Sequence, residues 1–282
     1  MLTNNRVIWK NNSALEDLSH KLSNVFATPS VVDIVAAADK LFIGGDMPFN
    51  HRYFEVGSAN ALPSNVSVDI WDGDEWVPAV DVVDRTKNAA GATLAQSGIL
   101  QWTPDQDSGW VKESSTEDMT GSGLETLKIY NMYWARLSFS ADLTGTTSLK
   151  YVGHKFATDD DLRGRYPDLM KTNMMAAHTA AKTSWNEQHV LAAEDLIRDL
   201  RKKSLVFSPN QILDFEIFAD AAAHKAAEII YGPFGEKYED NRERAREYYE
   251  EALDKVHFPL DYDGDGRLDE EESMLHIGLV RR

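Results

Sequence analysis

Apolar and polar residues alternate along the first half of this chain and recur every three or four positions along the second, with the change near residue 157. Alternation puts successive side chains on opposite faces of a strand. It is cleanest in VSVDIW (66–71) and YWARLSFS (133–140). In the latter, Tyr133, Ala135, Leu137 and Phe139 point one way, and Trp134, Arg136, Ser138 and Ser140 the other. Residues 76–83, 98–102, 109–111, 126–132 and 149–156 read as further strands, and DGDE (72–75) as a tight hairpin turn. Short strands at this spacing predict an antiparallel β-sandwich, jelly-roll-like, over residues 1–156. Residues 14–26 and 31–39 add either a helix or a packed arm.

The second half, residues 157–282, predicts an α-helical bundle, so the fold class is α+β with two domains. Thr158 is a candidate cap, with Asp159, Asp160 and Asp161 in the first turn, where acids complement the helix dipole. Pro167 interrupts or restarts that helix. Residues 173–203 are expected to be helical, with Trp185, His189, Ala193, Leu196 and Leu200 on one face. Ser208-Pro209-Asn210 is a break. Further helices are predicted over 214–231, ending at Gly232-Pro233, and over 237–256, stopped by Pro259.

Composition narrows the functional classes. The 282 residues carry 46 acidic and 29 basic side chains, a formal net charge of −17. That argues against specific nucleic-acid binding, which needs clustered Lys and Arg. It is compatible with a wall past which DNA slides without sticking. The absence of cysteine excludes disulfides, zinc-thiolate sites and cysteine nucleophiles. No stretch approaches the length of a membrane span, so no membrane partner is expected. Residues 1–30 read as mature chain rather than a signal peptide.

One motif is specific. DYDGDGRLDEEE (261–272) matches a twelve-residue calcium loop at every position. Calcium takes six to eight hard oxygens. The candidates are the carboxylates of Asp261, Asp263 and Asp265, the backbone carbonyl of Arg267, Asp269 directly or through water, and bidentate Glu272. Gly266 sits where the loop turns sharply, and Leu268 where an apolar side chain packs inward. Only one such EF-hand-like loop is present, so a structural Ca²⁺ that holds the C-terminal tail is expected rather than a sensor.

Nothing comparable marks a catalytic site. None of the eight histidines pairs as HxxxH or HExxH, and no GxSxG, P-loop or GxGxxG pattern occurs. His189 and His224 read as core or interface residues. The chain is therefore expected not to be an enzyme. Trp71, Trp76, Trp102 and Trp110 raise an alternative, a sugar-stacking face on a carbohydrate-binding module with a dockerin-like loop, although tryptophans are also common in cores and interfaces.

ATDDDLRGRYPDL (157–169), AAEDLIRDLR (192–201), ILD (212–214), AAAHKAAEIIY (221–231) and the helix around Tyr248-Tyr249 lead in order into the aspartate-rich loop. This succession resembles the helical head–tail connector proteins of tailed bacteriophages, also called adaptor or head-completion proteins. The resemblance covers the second half; such connectors usually lack so large a sandwich, while residues 133–152 are weakly similar to strands of phage neck and baseplate β-domains. It implies a virion protein that forms a ring, often twelvefold, between the portal and the tail terminator or other neck proteins, assembled in the host cytoplasm. The charged segment EKYEDNRERAREYYEEALDK (236–255) suits salt-bridge networks between ring subunits. The tail HIGLVRR (276–282), apolar and then basic, is expected to insert into a neighbouring subunit or the portal. Deleting residues 275–282 should abolish ring assembly or portal docking; electron micrographs showing unchanged assembly would overturn that role.

Overall fold

The computed structural model describes residues 5–12, 14–36, 38–104, 109–112, 121–125, 131–259, 261, 264–268, 272 and 277–278. The fold is α+β. Among these residues, those up to Gly153 and those from Asp261 to Leu268 form one compact unit. The rest form a second unit.

The first unit holds eleven strands, β1 (Asn5–Asn11), β2 (Ala14–Asp17), β3 (Ser30–Val31), β4 (Lys40–Gly45), β5 (His51–Ser58), β6 (Val66–Trp71), β7 (Trp76–Pro78), β8 (Val80–Asp84), β9 (Gly98–Thr103), β10 (Tyr133–Phe139) and β11 (Ser148–Gly153). They build two antiparallel sheets, ordered β2-β1-β4-β10-β6-β7 and β3-β11-β5-β9-β8. One apolar core takes Val7, Ile43, Val68, Ile70 and Leu137 from the first sheet and Phe54, Leu100, Trp102 and Val152 from the second. The opposite face of the first sheet is also covered: Ile8, Phe42, Trp71 and Trp134 cluster there with Leu124 and Met132.

The alternation in β10 is borne out. Ala135, Leu137 and Phe139 enter the shared core and Trp134 the outer cluster. Arg136, on Trp134's side, lies opposite Asp69 on β6 and donates to its carboxylate from Nε (3.0 Å) and Nη2 (2.8 Å). The DGDE turn is also as expected: the Asp72 carboxylate accepts the N–H groups of Asp74 and Glu75, and β6 pairs with β7. Residues 76–83, however, are not one strand. The chain leaves the first sheet after Pro78 and joins the second at Val80, with Asp81 at φ 50°. Nor is there a strand at 109–111, where Trp110 instead fills the core. Residues 14–17 are a strand and 21–23 a single 3-10 turn, so of the two alternatives, helix or packed arm, the α-helix does not form there. Of the expected strand 126–132, residues 126–130 lie outside the described residues.

β1, β4 and β5 went unread because they break simple alternation. β5 lies between β11 and β9 and is buried along most of its length, polar residues included. Arg52 is fully buried, with its guanidinium 3.7 Å from the centre of the Phe49 ring and Nη1 donating to the His51 carbonyl at 2.7 Å. Burial pushes it down to about 9. The Tyr53 hydroxyl donates to the Glu55 carboxylate, and burial raises its pKa.

The second unit contains α1 (Asp159–Arg165), α2 (Thr172–His178), α3 (Asn186–Lys202), α4 (Ala219–Tyr231) and α5 (Glu239–Lys255), with a short ladder of β12 (His257–Phe258) and β13 (Ile277–Gly278). The Thr158 side chain accepts from the Asp161 N–H, and Asp161 accepts in return from the Thr158 N–H, a capping box worth about 1 kcal/mol. The helix expected over 173–203 is two helices. Thr179 is extended and Ala181 has φ 61°, and α3 starts only after Trp185. Its buried face is the predicted one: Trp185, His189, Ala193, Leu196 and Leu200 are all fully buried. α4 contributes Ala221, Ala222, Ala223, Ala226 and Ala227, small enough for close backbone approach. α5, within the charged segment, also carries a buried stripe of Ala245, Tyr249, Ala252 and Leu253.

Two buried histidines give the fold a pH dependence of defined sign. Burial, aided by the Arg52 charge, pushes His51 down from 6.5 to about 3. Burial also lowers His189, although its Nε2 lies 3.0 Å from the Asp159 carboxylate, which works the other way. Below pH 6.5 the unfolded chain takes up protons that these sites refuse, so stability falls as pH drops from 6.5 toward about 3. The melting temperature should decline over that range, and His51→Gln should flatten the decline without removing it. An unchanged slope in the variant would mean that His51 is charged in the native state.

Candidate metal centre

The loop that carries the calcium motif is shaped first by its glycines. Gly264 and Gly266 have φ of 77° and 82°, the left-handed region that L side chains avoid. Gly266 is boxed in as well: a Cβ there would lie 3.0 Å from Pro48, 3.1 Å from Pro104 and 3.4 Å from Trp110. This is the sharp turn expected at the sixth position of the loop.

Asp261, 3% exposed, anchors the turn. Its Oδ1 accepts the Gly264 N–H at 2.6 Å and its Oδ2 the Gly266 N–H at 2.9 Å. Asp265 is exposed, and its Oδ1 accepts the Arg267 N–H at 2.7 Å. The Arg267 side chain donates from Nη1 to the Pro104 carbonyl at 3.3 Å, which holds the loop against the first unit's core. The phenol of Tyr133 is pushed up by burial and then by the Asp261 charge. Glu272 is buried, at 6% exposure.

Asp263 and Asp269 lie outside the described residues, so four of the six expected ligands have a described position. Among the described residues no three His, Asp or Glu side chains converge as a metal-holding group. What is described agrees with calcium in ligand type and turn shape alone: a buried carboxylate at Asp261, an exposed one at Asp265 and a left-handed glycine at position 266.

Trp71, Trp102 and Trp110 are buried and Trp76 is half-buried, its Nε1 donating to the Ser122 carbonyl. These four do not form an open stacking face. His189 belongs to the α3 core, where Asp159 also accepts the Trp185 N–H. The His224 ring stays partly exposed and accepts or donates at Nδ1 to the Tyr166 hydroxyl at 2.7 Å. Sequence reading missed the buried set of His51, Arg52, Tyr53 and Glu55, and the signal available was the polar triplet Asn50-His51-Arg52 next to Tyr53-Phe54.

No helix among the described residues is long and apolar enough to cross a membrane. No protein-family model matches the chain, and no characterised protein matches it in sequence.

Gly266→Ala should destabilise the protein by about 1–2 kcal/mol from the left-handed backbone alone, with a further loss from the contacts to Pro48 and Pro104. Denaturant unfolding measures it; a substitution without effect would mean that the turn relaxes freely.

Proposed function

We propose that this protein is a non-enzymatic structural component of a tailed-phage neck, a ring that joins the capsid portal to the tail around the DNA passage. The observation that carries this reading is the order of parts from Thr158 to Glu272: a capped acidic opening, the RYP turn, a long amphipathic helix, an alanine-rich helix, a charged helix and an aspartate-rich loop. The two sheets of the first unit are read as a β-sandwich with jelly-roll-like winding, supported by their common core and by the passage of the chain from β4 to β5 to β6 between sheets. The excess of acid supports an inner wall that repels DNA rather than gripping it.

Calcium completes the proposal. Asp261, Asp263, Asp265, the Arg267 carbonyl, Asp269 and Glu272 hold the ion, and its chemistry is purely structural: it ties the start of the loop to its end. The antiparallel pairing of His257 with Gly278 and of Phe258 with Ile277 supports this role, because it closes the chain on either side of the loop. The sugar-binding alternative loses its main support with the burial of Trp71, Trp102 and Trp110.

Mass photometry and negative-stain microscopy of the purified protein, with calcium and with chelator, alone and with portal, test the reading. Rings, or monomers that become rings on the portal, are expected, with chelation lowering the melting temperature. Calcium at one hundred times its dissociation constant adds about 2.7 kcal/mol of stability. A monomer indifferent to portal and capsid would overturn the neck assignment; indifference to chelation would overturn the metal assignment alone.

A further inference from the structure

Phe207 is the most exposed large apolar side chain among the described residues, at 84%. It is not on a loose loop. Val206 and Ser208 on either side are each 2% exposed. The Phe207 N–H donates to the Gln211 side-chain oxygen at 2.8 Å, and Ser208 caps the 3-10 turn that follows. On the other side, the Leu205 N–H returns to the Leu200 carbonyl and Ser204 takes φ 56°. The backbone is thus fixed while the ring stands in solvent, a pre-ordered anchor that loses little freedom on docking. The three residues that close α3, Arg201, Lys202 and Lys203, are exposed cations four to six positions before it in the chain. Lys202 and Lys203 each hold a carboxylate of their own chain, Asp199 and Asp254, while Arg201 has no ion pair among the described residues.

A surface of opposite character lies on the edge strand β8. Val80 and Val83 are 43% and 46% exposed. Asp81 between them is exposed too, its backbone left-handed at a shift in the pairing with β9. β8 ends its sheet, so one side of the strand carries no neighbour among the described residues. An exposed apolar edge invites a partner, and its acidic residue selects for a basic one.

We propose that these two surfaces are the halves of one contact between copies of this chain: Phe207 of one copy seats on Val80 and Val83 of the next, with Arg201 facing Asp81. The occupant is a second copy because the charges are complementary within the one sequence: a basic anchor on a chain of net charge −17 meets an acidic apolar edge that the same chain supplies. Such a contact is heterologous, using different surfaces on the two copies, and therefore propagates into a closed ring or an open filament. The inference rests on the ring reading above and names the residues that would make the ring.

The test uses the full chain and two single variants, Phe207→Asp and Val83→Asp. Both positions are exposed, so melting temperatures should match the wild type. Each variant alone should assemble about tenfold or more weakly, the size expected on losing an aromatic hot spot. Mixed in equal amounts, the two should form heterodimers and nothing larger, because only one intact anchor and one intact edge can meet. Sedimentation velocity reads both results. A wild type that assembles while Phe207→Asp assembles equally well would overturn this contact and leave the ring reading standing. A wild type that stays monomeric with calcium and portal present would overturn both.

Discussion

The first unit depends on burying both faces of its six-stranded sheet. One face shares a core with the second sheet, through Val7, Ile43, Ile70 and Leu137. The other is sealed by a cluster in which Trp71 and Trp134 meet Leu124, a residue contributed from outside any strand. A sheet covered on both sides must carry apolar residues at consecutive positions, which explains Val7-Ile8 and Leu41-Phe42-Ile43. It must also pair whatever polar groups remain, since a buried charge without a partner is costly. The Arg136–Asp69 pair and the Arg136 guanidinium above the Trp76 ring, 4.9 Å from its centre, meet that condition on the outer face.

That double burial also decides what could be read from the chain in advance. β6 and β10 were legible because polar residues punctuate them: Ser67, Asp69, Arg136 and Ser138 mark one face and the core residues the other. β1, β4 and β5 were not, because a strand buried on both sides loses its period. The helices of the second unit show the reverse. Thr158 and the α3 face were plain from spacing alone. The break at residues 179–185 was hidden by the helix formers Ala180, Ala181 and Lys182 within it, and Trp185, read as a mid-helix core residue, instead sits at the N-cap of α3 and donates from its indole to the Leu169 carbonyl. At the candidate metal site the glycine turn was legible from position in the motif. That the turn packs on Pro48, Pro104 and Trp110 was not, since those contacts join residues more than a hundred and fifty positions apart, in the case of Pro104 and Arg267.

Charge is distributed with some economy in the second unit. Asp159 accepts from a backbone N–H and a histidine, Asp199 from Lys202 and Tyr249, and Asp254 from Lys203. These carboxylates fasten helix to helix, whereas the i,i+3 and i,i+4 pairs along α5 are exposed and contribute little. The surface of α5 is thus left available for interactions that cost nothing internally.

The box around Gly266 limits how the calcium motif can be treated. Twelve residues with the right donors look like a portable cassette, one that could be grafted elsewhere with its affinity intact. Here the sixth residue is shaped by two prolines and a tryptophan that lie far away in the chain. Transplanted alone, the loop would keep its oxygens and lose the walls that hold its turn, and would have to order itself at the expense of affinity. In this protein the shape of the turn at Gly266 is a property of the β-core as much as of the motif.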